Sequence, residues 1–524
     1  MMEQSKIQNP KSKIAKRPLA LVIVDGWGHS PQKQGNAIAL AHTPNYDEIW
    51  KNYPHTTLAA AGLRVGLTPD AVGSSEVGHL NIGAGRIVQT DVSRISDAIK
   101  TGKFFENQVL KNAFAKAKLN NSSVHLIGLV SDGDVHASPE NLFALLRMAK
   151  NEGAKDVFVH AILDGLDVRQ RTSDIYLEML EIKLADIGIG EVATLCGRHY
   201  AMDKDENWER TARAYTMLVH SEGEYANDAV TAIRNSFLRG ISDEFIQPII
   251  LEKRPGEPVT SVKGGDFVIF FNHRPDGIRQ LVKSLAVSSP NEFSKPNVEA
   301  VCLTECDRSF HLPVAFKQEN EQNVLAKVFA ENGVLNCRVA ETEKYSHITY
   351  FFNGSSDIEH PCEQRVFVTS IKNPSFEMQP ELSCFKVTDK LLRSLEADEN
   401  DVFIINLASS DMVAHTGNLE KTIESVQFID TCLGGIVEKI REMNGVAIIT
   451  SDHGNCEEMA DLITGEPNNS HTANPVPFVI VDEHSNGLNL RENGALEDIA
   501  PTMLGILGLE KPSEMTGRDL RELN

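Results

Sequence analysis

The chain has 524 residues, 41% of them hydrophobic and 24% charged, a length beyond one ordinary core and a composition typical of soluble globular proteins. With 73 acidic against 51 basic residues its net charge is −22, which argues against nucleic acid and anionic membrane surfaces as partners. No apolar run reaches the roughly 18 residues of a spanning helix, and the eight scattered cysteines read as free thiols in a reducing cytoplasm.

In chain order, residues 1–16 are polar and basic without an apolar segment, so they read as a disordered extension and not as a secretory leader. Short β-branched runs then alternate with longer amphipathic stretches, the pattern of an α/β protein with largely parallel sheets. The predicted strands are 19–24, 124–130, 157–163, 191–195, 267–271, 300–303, 348–352, 366–369, 402–407, 446–450 and 478–481. Their near-continuous apolarity suits strands covered on both faces. Predicted helices are 43–52, 138–151, 173–187, 207–220, 419–443 and 497–507, the first two opening on Thr-Pro and Ser-Pro, a helix-start signal.

Polar residues collect just after the strands: Asp25, Asp132, Asp164, Arg274, Asp411 and Asp452. In open α/β sheets the carboxyl ends of the strands form the ligand crevice. If Asp25 is to meet Asp411 and Asp452, the middle of the chain must be an insertion. The expected borders give a first piece at 17–88, an inserted domain at 89–318 and a second piece at 319–524.

The most informative stretch is Val72-Gly73-Ser74-Ser75-Glu76-Val77-Gly78-His79. It places a hydroxyl at a glycine-flanked turn that opens a helix, where free N–H groups and the helix dipole favour a phosphoryl group. A serine there is a nucleophile only if its hydroxyl is activated, and no Ser-His-Asp spacing is visible. A metal is the expected activator. Asp411 and His415, four apart, share a helix face; Asp452 and His453 follow a buried strand. With His471 and Asp25 they offer three carboxylates and three imidazoles, enough for two ions. This oxygen and nitrogen set suits Mn²⁺ or Zn²⁺, less well Mg²⁺.

These segments together resemble the cofactor-independent phosphoglycerate mutases of the alkaline phosphatase superfamily. The resemblance runs from about Arg17 over nearly the whole chain. It rests on Leu21–Gly28 (LVIVDGWG), Ser75–Arg86 (SEVGHLNIGAGR), Ser131-Asp132-Gly133, Tyr200–Asp203 (YAMD), Glu341–Tyr345 (ETEKY), Asp411–Asn418 (DMVAHTGN) and Asp452–Asn455 (DHGN). It implies an alkaline-phosphatase-like domain in two sequence pieces with an α/β phosphotransferase domain inserted between them. It further implies a monomer acting on a small phosphorylated substrate with two Mn²⁺ ions (Mg²⁺, Co²⁺ or Zn²⁺ as alternatives) and without 2,3-bisphosphoglycerate. One ion is held by Asp411, His415 and His471, the other by Asp25, Ser75, Asp452 and His453. Ser75 becomes phosphorylated, Lys344 stabilises charge on the transferring group, and Asp167 shuttles hydroxyl protons. His136, Asp167, Arg198, Lys204, Arg274 and Lys344 bind the substrate, which passes from 3-phosphoglycerate to 2-phosphoglycerate.

Departures from the family pattern concentrate in the substrate-binding half. Leu166, Lys204 and Gly277 stand where arginines are usual, and Asp134 stands in a segment that usually reads Gly-Val-His-Ser-His. Losing one charge-assisted contact weakens binding by about 1.5–3 kcal/mol, and lysine does not reproduce a guanidinium fork. Three explanations compete: Arg169, Arg171 or Arg279 supplies the charge, the substrate is a different phosphorylated hydroxy acid, or only phosphatase or weak mutase activity remains.

Overall fold

Successive residues of Leu19–Val24 point into different cores: Leu19, Leu21 and Ile23 into one, Ala20, Val22 and Val24 into another. That is the two-faced burial that a continuous apolar run implies. The computed structural model describes residues 17–287, 296–317, 321–356, 358–371, 375–461, 464–485 and 487–522; the expected extension at 1–16 lies outside them. The chain divides into two compact units, Met1–Thr90 with Asn320–Asn524, and Asp91–Glu319.

In the first unit an eight-stranded sheet runs in the order Glu363–Val368, Asn336–Glu341, Val402–Leu407, Leu19–Val24, Val446–Thr450, Val476–Val481, His55–Ala59, Gly494–Ala495. Its first five strands are parallel, and Val476–Val481 turns antiparallel against Val446–Thr450. The parallel block matters for function, because four neighbouring strands deliver their carboxyl ends to one edge.

In the second unit Glu299–Cys302, Phe267–Phe270, Val124–Leu129, Val157–Leu163 and Glu191–Gly197 form a parallel series. Ile249–Arg254 joins antiparallel at its end. Buried helices such as Pro139–Glu152 and Ser173–Ile187 cover the sheet. Both units are thus α/β. No described helix is long and apolar enough to cross a membrane, and all eight cysteines are free.

One predicted strand is wrong. Residues 348–352 belong to a wide helical turn, His347–Phe351, that continues the helix Thr342–Ser346. The β-branched Ile348-Thr349 pair suggested a strand, but the Thr349 hydroxyl donates to Tyr345 O four residues back (2.7 Å), and buried Arg338 donates to Ile348 O (2.8 Å). Packing and local bonding override propensity here. Helices at Asp91–Thr101, Gln108–Asn120, Ala229–Leu238 and Cys384–Glu396 were not anticipated.

Candidate active site and metal centre

Ser75 is the first residue of the helix Ser75–Ala84, whose N-cap Ser74 accepts from Val77 N. Its hydroxyl therefore stands where the helix leaves N–H groups unpaired. Gly78, one turn on, lets this helix approach the Asp452 backbone: a Cβ there would sit 2.5 Å from Asp452 O. Lys344, Asp411, Asp25 and Asp452 each follow one strand, and those four strands (Asn336–Glu341, Val402–Leu407, Leu19–Val24, Val446–Thr450) are consecutive in the sheet. Chain positions hundreds of residues apart meet because the sheet order, not the sequence order, sets proximity.

The Ser75 hydroxyl lies 3.2 Å from Asp25 Oδ1, 2.9 Å from His453 Nε2 and 2.6 Å from Lys344 Nζ. Lys344 also donates to Asp25 Oδ1 and Asp411 Oδ2, both at 2.7 Å. Asp411 is reached by His415 Nε2 at 3.5 Å and His471 Nε2 at 3.6 Å, and Asp452 Oδ2 by His453 Nε2 at 3.6 Å. Asp25, Asp411, Asp452 and His453 are fully buried. The structure thus brings together all seven residues predicted as ligands and places the Lys344 ammonium against Asp25, Ser75 and Asp411.

Three groupings have ligand atoms close enough to share an ion: Asp411 with His415 and His471, Asp25 with Asp411 and His453, and Asp25 with His79 and Asp452. The residues fit divalent cations on two observations. His415 and His471 direct Nδ1 to the carbonyls of Asn469 (3.0 Å) and Gly73 (2.9 Å), so both turn Nε2 inward, 3.1 Å apart. Two imidazole lone pairs facing each other need a proton or a cation between them. Asp452 Oδ2 is buried with no hydrogen-bond partner, approached only by the His79 and His453 rings at 3.3 and 3.6 Å, a carboxylate oxygen that a cation would satisfy more fully. His79 is the weaker ligand of its group, since Nδ1 already faces Ser75 O at 2.8 Å and Nε2 faces the Asn406 amide at 3.1 Å.

Electrostatics follow from packing three carboxylates in one buried cluster. Burial alone would lower the His453 pKa, but Asp452, Asp411 and Asp25 overcome it and push it up to about 10. Burial also opposes ionisation of Asp411 and Asp452, yet Lys344 and His453 hold Asp411, and His453 and His79 hold Asp452, well below the usual carboxylate range. His471 is moved down to about 4 by burial and by the His453 charge, whereas the hydrogen bond to Asp411 raises His415. Without metal the site is held by protons and the Lys344 ammonium.

Sequence reasoning missed the residues that hold this site in place. Glu457, 1% exposed, accepts from Gly28 N (3.1 Å), Asn455 N (2.8 Å), the Thr472 hydroxyl and the Asn474 amide (3.1 Å). It ties the loops that carry Asp25, Asp452-His453 and His471. Asn406 and Asn455 orient Asp25 and Asp411 through their amides, at 2.6 and 2.8 Å. Asn455 lies within the DHGN motif, the only signal that could have marked it; Glu457, two residues on, carried none.

The second unit gathers the remaining predicted residues. Arg198 Nη1 lies 2.6 Å from Asp164 and 2.5 Å from Asp167. His136 lies 3.8 Å from Asp167 and 3.3 Å from Asp276, which Arg274 approaches at 3.4 Å. Burial opposes ionisation of Asp276, but His136 and Arg274 hold its carboxyl well below the usual range. A pocket of about 180 Å³ is lined by His136, Arg198, Lys204, Arg210, Leu166 and Gly277, among others. None of Arg169, Arg171 and Arg279 lines it; Arg279 is paired with Asp307. The added guanidinium is that of Arg210, which also reaches Asp203 at 3.0 Å.

The chain's residues 17–511 match the model of the Metalloenzyme superfamily, so the chain belongs to that superfamily, as its buried Asp and His clusters suit. It is 45% identical over 507 residues to the 2,3-bisphosphoglycerate-independent phosphoglycerate mutase of Clostridium perfringens, covering 96% of this chain and 99% of that protein. It is 46% identical over 508 residues to the protein of the same name from Moorella thermoacetica, covering 96% and 98%. Crystal structures of Leishmania mexicana phosphoglycerate mutase at low cobalt concentration superpose with a TM-score of 0.77 at 28% identity, over 98% of this chain and 100% of that one. The chain is a member of the family of 2,3-bisphosphoglycerate-independent phosphoglycerate mutases.

Proposed function

We propose that this enzyme interconverts 3-phosphoglycerate and 2-phosphoglycerate in the cytoplasm, as a glycolytic and gluconeogenic mutase, with Ser75 carrying the phosphoryl group between two half-reactions. The observation that carries this reading is the Ser75 hydroxyl at a helix N-terminus among Asp25, His453 and Lys344. Asp411, His415 and His471 would hold one divalent cation and Asp25, Ser75, Asp452 and His453 a second, with Mn²⁺ favoured by the mixed ligand set. Such ions supply charge neutralisation at the phosphoryl oxygens and lower the pKa of the serine hydroxyl.

In the first half-reaction the Ser75 oxygen forms a bond to phosphorus as the bond to the substrate's 3-hydroxyl oxygen breaks, leaving phosphoserine and glycerate. Lys344 bears on the charge of the transferring group from 2.6 Å beyond the serine oxygen. The proton that Ser75 gives up on bonding phosphorus is matched by the one the departing 3-oxygen takes from Asp167. In the second half-reaction Asp167 takes one back from the 2-hydroxyl as that oxygen recovers phosphorus, and the released Ser75 oxygen is reprotonated. Its carboxylate is positioned for this by Arg198. In the second unit, Arg198, Lys204, Arg274 and Arg210 supply positive charge for the glycerate carboxylate.

Purified protein with Mn²⁺ and 3-phosphoglycerate, coupled to enolase, is expected to give product formation that EDTA and Ser75→Ala each abolish. Quenched turnover should leave phosphate on Ser75. Verified metal occupancy with no product, or product without phosphoserine, would overturn the proposal.

A further inference from the structure

Cys306 is the one cysteine of the eight that is not buried. It stands in the loop after the strand Glu299–Cys302, lining the same small pocket as Cys302, which is 1% exposed. Both side chains line it, and the Cys306 thiol donates to Thr304 O (3.9 Å). The neighbouring Cys306 side chain, with burial, holds the Cys302 thiol well above the ordinary range, so Cys302 keeps its proton. One reachable thiol backed by one sequestered thiol is the arrangement of an attacking and a resolving cysteine. Another neighbouring pair, Cys384 and Cys432, is buried inside a hydrophobic core and offers no point of attack.

The intervening turn is not idle. Thr304 is buried, and its hydroxyl donates to the carbonyls of Asn272 (3.3 Å) and His273 (2.9 Å). His273 and Arg274 in turn donate their backbone N–H groups to His136 O, at 2.8 and 3.1 Å. These bonds connect the turn to the segment bearing Arg274 and His136.

We propose that Cys302 and Cys306 form a thiol–disulfide modification site for low-molecular-weight disulfides of the glutathione type. Cys306, as thiolate, attacks one sulfur of the reagent; that S–S bond breaks and its other half departs with the electron pair as a thiolate that takes up a proton. Cys302 then loses its proton and attacks the Cys306 sulfur, releasing the second thiol. The protein dithiol gives up two electrons and the reagent becomes two thiols. Bringing the two sulfurs to bonding separation draws on residues 303–305, and so on the Thr304 bonds.

The test uses the full native chain and oxidised glutathione. Glu305 lies between the two cysteines, so a protease that cuts after glutamate separates peptides 300–305 and 306–319. We expect them to stay joined after oxidation and to part on reduction with dithiothreitol. Cys306→Ser should take up no glutathione under native conditions, and Cys302→Ser should stop at the mixed disulfide. Amide exchange at His273 and Arg274 should be at least about threefold faster in the oxidised chain, as expected when local bonds are loosened. A stable glutathione adduct on Cys306 of the unaltered chain, with Cys302 still free to alkylation after denaturation, would overturn the proposal. So would an unreacted Cys306, or oxidation that proceeds equally in Cys306→Ser.

Discussion

Glu457 offers a quantitative test of how the candidate metal centre is held. Each of its oxygens accepts two hydrogen bonds, Oε2 from the backbone N–H groups of Gly28 and Asn455, Oε1 from the Thr472 hydroxyl and the Asn474 amide. In Glu457→Gln the amide nitrogen can face only the Thr472 side, where a hydroxyl can rotate to accept. Backbone N–H groups cannot. The two backbone bonds then persist but lose their charged acceptor, falling from about 1.5–3 to about 0.5–1.5 kcal/mol each, a loss of about 2 kcal/mol together. Glu457→Ala strands two buried N–H groups at about 1–3 kcal/mol each and opens a cavity, for about 4 kcal/mol or more. Supports of this kind typically change metal affinity ten- to a hundredfold. Mn²⁺ titration against a competing indicator, with urea unfolding in parallel, should therefore rank wild type above Gln and Gln above Ala in both readouts. Alanine no worse than glutamine, or Mn²⁺ affinity unmoved in both, would refute the reasoning.

Gly28→Ala places its Cβ inside the Glu457 carboxylate, so it should be strongly destabilising alone and milder on the Glu457→Ala background; additive effects in that double-mutant cycle would contradict the geometry. Because the metal-free site holds His453 protonated up to about 10 and a ligand imidazole must be neutral, Mn²⁺ binding between about pH 7 and 9 should release protons and tighten with pH; calorimetry in buffers of different ionisation enthalpy reads this, and no proton release would refute it. His273 is moved down to about 4, first by burial. The unfolded chain, with an ordinary histidine pKa near 6.5, therefore binds the extra proton, and stability present above about pH 6.5 is lost as pH falls toward 4. The loss is up to about 3 kcal/mol; His273→Gln should flatten the urea midpoint between pH 7 and 5, and an unchanged slope counts against it. Arg210→Ala should raise KM for 3-phosphoglycerate about ten- to a hundredfold, the value of one charge-assisted contact, with little change in kcat; a lowered Tm with unmoved KM would leave Arg210 as a partner of Asp203 alone.

The sequence was legible where chemistry is local. Ser75 at a helix start, Asp411 and His415 one turn apart, and strands such as Leu19–Val24 and Val402–Leu407 depend on neighbours within a few residues, and their side chains announce it. Ile348–Phe352 misled because its β-branched residues are held in a helical turn by Arg338, which lies ten residues before Ile348 on a neighbouring strand. Glu457 was silent because its four partners come from three separate loops.

The sequence by itself determined the α/β class, the polar ends of the strands and the residue types able to hold a cation and carry phosphate. Only the tertiary structure decided that the strands ending at residues 341, 407, 24 and 450 lie side by side, and that Arg210, not Arg169, Arg171 or Arg279, lines the pocket beside Gly277 and Leu166. The physical reason is that strand order and the choice of neighbouring side chains minimise a free energy of the whole fold, spread over contacts between segments hundreds of residues apart. A helix cap or an i,i+4 pair is settled within one turn of chain.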